Sequence, residues 1–228
     1  MEHDLSAEVR WLETLGRLPL YEWQDPLAFI QFLSPPEGVA GWDFNADSKF
    51  KKHREAWVAS RFAAGYAQIL GEPVQIKMVP EQEQTPDAIL KLGVREIPLD
   101  VTIILEPGRR FSEEYKEKIG NEESGQEDSL HMRQVCCPNG DEAEKWLVDA
   151  LNNKALTAYP GLWLLVYFDV FGGKDITRSE TPVRAAAPWE QVCILDSRGW
   201  SGEYALLFLR GEHCPDWTPF QLNEPLEE

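Results

Sequence analysis

The chain is 228 residues long, 43% of them hydrophobic, which suits one domain with a sizeable core. No apolar run approaches the roughly 18–20 residues a bilayer span requires, and the acidic start Met1-Glu-His-Asp-Leu-Ser lacks the regions of a secretory signal. The formal charge of −17, from 22 Lys+Arg against 39 Asp+Glu, argues against a sequence-independent polyanion coat, which needs a basic footprint.

Residues 1–46 read as a helical preface. Ser6 is placed to cap a helix whose Leu5, Val9, Leu12 and Leu15 recur at helical spacing, with Gly16 as its stop. Asp25-Pro26 opens a second helix (Leu27, Phe29, Ile30, Leu33), since aspartate suits the cap and proline the first helical position. Ser34-Pro35-Pro36 ends it. A longer helix runs from Ser48 to about Leu70, with a stripe through Glu55, Val58, Phe62, Tyr66 and Ile69. Glu55 is the odd member of that apolar stripe. Three strand-like segments follow: 74–79, 87–92 after a Gln/Glu/Thr/Pro loop, and 97–104 after the Gly93 turn.

Residues 106–140 carry Glu113, Glu114, Glu117, Glu122, Glu123, Glu127 and Asp128 with hardly any aliphatics, a composition expected of a mobile loop or of a helix that strays from the body. Asp141 and Glu144 form a capping-box pattern for a helix reaching about Tyr159. Trp163–Val170 is nearly continuously apolar, as a central strand covered on both faces would be. Two strands, 192–195 and 204–209, close the list of expected elements. The fold expectation is α/β, a mixed central sheet flanked by helices.

Cys136, Cys137, Cys193 and Cys214 include no C-x-x-C pair, which points to reduced thiols in a cytoplasmic setting rather than a disulfide frame or zinc chelate. The four histidines show no ligand spacing, and His53 is expected to face solvent. No phosphate-binding glycine loop or nucleophile elbow occurs. The charge is uneven. Residues 47–118 hold twelve basic and twelve acidic side chains, so the flanks carry the whole surplus of acid; solubility explains this acidity most simply.

The chemistry-bearing residues are three carboxylates. Asp87 follows Pro86 at the start of the second strand. Asp100 and Thr102 share one face of the third, while Leu99, Val101 and Ile103 share the other. Adjacent strands lie about 5 Å apart, so Asp87 and Asp100 can share an oxygen-lined site. Two carboxylates with the Val101 carbonyl suit Mg²⁺ or Mn²⁺, hard cations that prefer oxygen. Glu55 is the candidate third acid. Each residue also has a structural reading: a buried salt bridge for Asp100, a turn for Asp87, pairing with Lys51, Lys52 or Arg54 for Glu55. Thr102 is an ordinary strand residue.

This arrangement resembles the PD-(D/E)XK nuclease superfamily, of restriction-endonuclease-like fold. The resemblance rests on a helix bearing Glu55, a strand, Pro86-Asp87, a strand bearing Asp100-Val101-Thr102, the helix from 141, and the strand from 163. It covers about residues 48–196, within a single domain comprising a 1–46 helical extension and a 197–228 strand and tail. It implies metal-dependent phosphodiester hydrolysis of nucleic acid, with Asp87 and Asp100 on the metal and Glu55 at its edge. The chain departs from the motif at Thr102, where the family has lysine. Lys154 on the following helix is the substitute, with Lys91 as the alternative; structurally, Lys154 would only snorkel past the helix edge. Arg109 and Arg110, after the Asp100 strand, would grip backbone phosphates. The competing expectation is a catalytically degenerate nuclease fold that serves as a binding or regulatory module for a protein partner, which Thr102 and the acidic surface favour. Neither reading involves a membrane.

Overall fold

The computed structural model describes residues 5–36, 39, 44, 47–80, 86–104, 140–168, 176–197, 202–210 and 214–222. Among the described residues the chain opens with α1 (Leu5–Leu15), α2 (Pro26–Leu33) and, after a 3₁₀ turn at Ser48–Phe50, α3 (Lys51–Leu70). Strands β1 (Val74–Met78), β2 (Ala88–Leu92) and β3 (Arg95–Ile104) precede α4 (Gly140–Lys154), which tightens into a 3₁₀ turn at Ala155–Thr157. Then follow β4 (Trp163–Phe168), α5 (Glu180–Ala185), β5 (Gln191–Ser197), β6 (Glu203–Phe208) and β7 (Thr218–Gln221).

The seven strands form one sheet in chain order, β1 to β7. β3, β4 and β5 are mutually parallel and every other pairing is antiparallel. The chain is thus an α/β protein with a mixed sheet, as the sequence leads one to expect. β4 lies at the centre with all six residues buried. Its alternate side chains feed two cores. Trp163, Leu165 and Tyr167 join Leu99, Val101, Phe62 and Tyr66 under α1–α3, while Leu164, Val166 and Phe168 join Leu147 and Leu151 of α4 on the other face. The helices 48–70 and 141–159 therefore pack on opposite sides of the sheet.

Several local expectations are corrected. Ser6 lies inside α1, which begins at Leu5, so it is no cap. α4 begins at Gly140, which puts Asp141 in the first turn, and Glu144 accepts a 2.8 Å hydrogen bond from the Ser179 hydroxyl, tying α4 to the approach to α5. Its regular helix stops at Lys154. His53 is half-buried rather than solvent-facing: its Nε2 lies 3.0 Å from the Leu15 carbonyl, and burial pushes its pKa down. β7 escaped the sequence reading because Pro219 argues against a strand interior; an edge strand tolerates it. α5 escaped because six residues show no apolar period. The expectation of mobility for 106–140 lies outside the described residues, apart from Gly140. Among the described residues no helix is long and apolar enough to cross a membrane.

One contact tests how tightly α3 is laid on the sheet. A methyl group at Gly65 would overlap the Phe220 ring of β7. Gly65→Ala is expected to cost about 1–3 kcal/mol through overpacking, read as a lower urea midpoint, and a second change, Phe220→Leu, should recover part of the loss.

Candidate functional site

The site forms where β2 begins. The β2–β3 register ends at Ala88 opposite Leu99, and Asp87 lies one step beyond the ladder. Its backbone N–H still donates to the Leu99 carbonyl at 3.0 Å. The next N–H on that edge of β3, that of Val101, donates instead to Asp87 Oδ2 at 2.9 Å. The side chain of Asp87 thereby takes the place of a strand backbone. The Val101 carbonyl faces the same edge as its N–H, as antiparallel geometry requires.

The carboxyls of Asp87 and Asp100 lie close enough for each to shift the pKa of the other. Asp100 is 1% exposed, and from the opposite layer Lys154 places Nζ 3.2 Å from its Oδ1 and 3.1 Å from its Oδ2. Lys52, at the first turn of α3, is also buried; its Nζ lies 2.7 Å from Glu55 Oε2 and 3.2 Å from Asp87 Oδ1. Lys51 reaches Glu55 Oε1 at 3.6 Å from the solvent side. Acids and ammonium groups from both helical layers therefore meet in one chain: Glu55, Lys52, Asp87, Asp100, Lys154.

The protonation pattern follows from this order. Burial raises the Asp100 carboxyl, and the hydrogen bond and negative charge of Asp87 raise it further; Lys154 opposes them, and the result is about 6. Burial also works to raise Asp87, but the hydrogen bonds from Asp100 and Val101 and the charge of Lys52 outweigh it, so Asp87 falls below the ordinary carboxylate value. Asp100 is the proton-holding member of the pair and Asp87 the ionised one. Glu55 is raised by burial and by Asp87, against the pull of Lys52 and Lys51. Burial would lower Lys52, yet Glu55 and Asp87 hold it above its ordinary value. Tyr159, just past α4, is raised by burial and by the charge of Asp100, which locates it beside the site.

Of the residues named from sequence, Glu55, Asp87, Asp100 and Lys154 come together, with the Val101 backbone among them. Thr102 lies on the Asp100 face, half-buried. Lys91 does not join: its Nζ sits 5.3 Å from the centre of the Trp23 ring. Arg109 and Arg110 lie outside the described residues. Lys52 was read from sequence only as a surface partner for Glu55; its spacing of three residues before Glu55 was the signal that both share a helix face. The donors are all oxygen, which suits Mg²⁺ or Mn²⁺ in chemistry, and the Asp87–Asp100 pair with the Val101 carbonyl makes a set of that kind. Among the described residues, however, no three His, Cys, Asp or Glu side chains converge to hold a metal ion; Glu55 is held by lysines instead.

No protein-family model, characterised protein or solved structure matches this chain.

The raised Asp100 carboxyl carries a pH signature. Its folded value of about 6 exceeds the unfolded value of about 3.9, so the folded state binds the extra proton and the stability tied to it is lost as pH rises from 4 through 6. Asp100→Asn removes this loss. The stability of the variant relative to the parent is expected to rise by about 2–3 kcal/mol between pH 4 and pH 7, measured by urea unfolding at both values.

Proposed function

We propose that the chain is a metal-dependent phosphodiesterase acting on nucleic acid, with a PD-(D/E)XK-like core of restriction-endonuclease type. The observation that carries this reading is the pair of neighbouring carboxyls, Asp87 on the Val101 N–H and Asp100 with the Lys154 ammonium on both its oxygens. The element order supports it: a helix with Glu55, an antiparallel run β1–β2–β3, a helix with Lys154, and a strand parallel to β3 follow the α-β-β-β-α-β succession of the resemblance. Thr102 would normally leave the motif without its lysine. Lys154 supplies an ammonium at Asp100 from the neighbouring helix.

In this reading Asp87, Asp100 and the Val101 carbonyl would hold Mg²⁺ or Mn²⁺, which would supply Lewis acidity toward the phosphate and a more acidic water. Asp87, kept ionised by Lys52 and the Val101 N–H, is the fixed negative anchor. Lys154, held at Asp100, would position the attacking water. Glu55 holds Lys52 against Asp87 and so keeps the anchor oriented. The seam between the helical layers bars bulk water from Asp100 and strengthens each charge interaction there.

A second reading has its own observation. Every carboxylate of the cluster already carries an ammonium partner or a hydrogen bond, and no third acid joins the pair among the described residues. A chain that has kept the fold and internally neutralised its site would serve as a binding or regulatory module for a protein partner, its surplus of acid facing that partner.

Cleavage assays at low salt on duplex DNA, single-stranded DNA and RNA with Mn²⁺ separate the two. Hydrolysis together with a Mn²⁺-dependent rise in melting temperature is expected for the parent. Asp100→Asn and Asp87→Asn should each lose both. Lys154→Ala should slow turnover about 10²-fold or more while keeping the metal-induced shift. No cleavage of any substrate and no shift in the parent overturns the hydrolase and leaves the binding module.

A further inference from the structure

We propose that the outer face of the β1–β2 hairpin, built on Trp23, Lys77 and Lys91, is a track for single-stranded nucleic acid that leads to Asp87 and Asp100. This deepens the hydrolase reading and rests on it for the nature of the ligand. The face is defined by strand alternation. Val74, Ile76, Met78, Ala88 and Leu90 turn into the core beneath α3, so Lys77, Ile89 and Lys91 turn to the other side, which Asp87 and Asp100 share. Gln24 and Ile76 exchange backbone hydrogen bonds of 2.8 and 3.0 Å. This short bridge sets the neighbouring Trp23 opposite Lys77 on the same side.

The side chains there are not assembled as a core. Trp23 is half-buried, with Lys77 Nζ 4.4 Å and Lys91 Nζ 5.3 Å from its ring centre. Among the described residues neither lysine has an ion-pair partner, although Glu96 stands opposite Lys91 in the β2–β3 register. In a chain of net charge −17, two ammonium groups with no ion pair among the described residues, held against one aromatic ring, make a local exception in sign. A base has a π-face that can stack on the indole, and the adjacent phosphates can take the ammonium groups from the ring; this combination of stacking and backbone charge binds single strands without reading sequence.

The placement also fits the site. Lys77 pairs with Ile89, two residues from Asp87, and Lys91 stands four residues from Asp87, about 13 Å along the strand. A strand bound at Trp23 would therefore run a few nucleotides into the carboxylates. A duplex offers no free base to the indole, so the single strand is the favoured occupant.

The experiment uses the full chain carrying Asp100→Asn, without metal, and measures anisotropy of labelled oligothymidylate, oligouridylate and a duplex at several salt concentrations. Either single strand should bind more tightly than the duplex. Trp23→Ala should weaken that binding about tenfold or more, and the pair Lys77→Gln, Lys91→Gln should weaken it and lower the salt slope by about 1.4. The double glutamine variant alters surface charge alone and remains informative if the tryptophan variant folds poorly. Absence of single-strand binding, equal binding of the duplex, or binding unchanged in these variants overturns the track. If the parent still cleaves with Mn²⁺ in that case, the hydrolase reading stands without it. If the variants lose binding but the parent never cleaves, the track stands and the hydrolase reading falls.

Discussion

A single carboxylate substitutes for backbone at the edge of β3, and the candidate site is organised around it. β2 cannot extend past Asp87 as regular strand, because Pro86 has no N–H to give a ladder. The N–H of Val101 is left on an edge within the sheet, and a buried donor without a partner is costly. Asp87 Oδ2 meets it at 2.9 Å. The gap in the ladder is also an opening between layers, so Lys52 of α3 on one side and Asp100 on the other reach the same carboxyl group. Remove Asp87, and the two halves of the site lose their common member.

The second constraint is charge. Taking carboxylates out of water is unfavourable unless each is paired or neutral. The structure uses both solutions at adjacent positions. Asp87 is ionised against Lys52 and Val101, and Asp100 retains a proton to higher pH beside it. Opposite shifts in two touching acids are the pattern by which protein sites divide acid and base roles, and structural ion-pair networks produce it as well. What distinguishes this cluster is its position: Asp100 sits in the buried middle of β3 between Leu99 and Val101, where a hydrophobic residue would pack at no electrostatic cost. A salt bridge of this kind is poor reason for stability alone.

The layers of the fold were legible because they depend on periodicity. The stripe of α3, the alternation in β1 and β3, and the unbroken apolar run of β4 each record which faces are covered. Glu55 was visible as an interruption in one such stripe, and Asp100 as an interruption in a strand. The pairing of Asp87 with the Val101 N–H was not legible, since it depends on where the register stops. Lys52 was hidden by its company: beside Lys51 and Arg54 it looks like part of a solvated face, and only the burial of the first turn of α3 separates it from them. Pro219 and the brevity of α5 removed the signals for the two elements that were missed.

The sequential order of the strands also divides the site by distance along the chain. β1, β2 and β3 pair with immediate chain neighbours, so their contacts close short loops and form at little entropic cost. β4 pairs with β3 only after the whole stretch from Ile104 to Trp163 is closed, the largest loop between paired strands of the sheet. The Asp87–Val101 contact is of the short-range kind; Lys154, carried in the intervening stretch, meets Asp100 across the long one. Asp100 thus has its acid neighbour close along the chain and its ammonium partner far along it, so lengthening the stretch between β3 and β4 would loosen the ion pair and leave the Asp87–Val101 contact untouched.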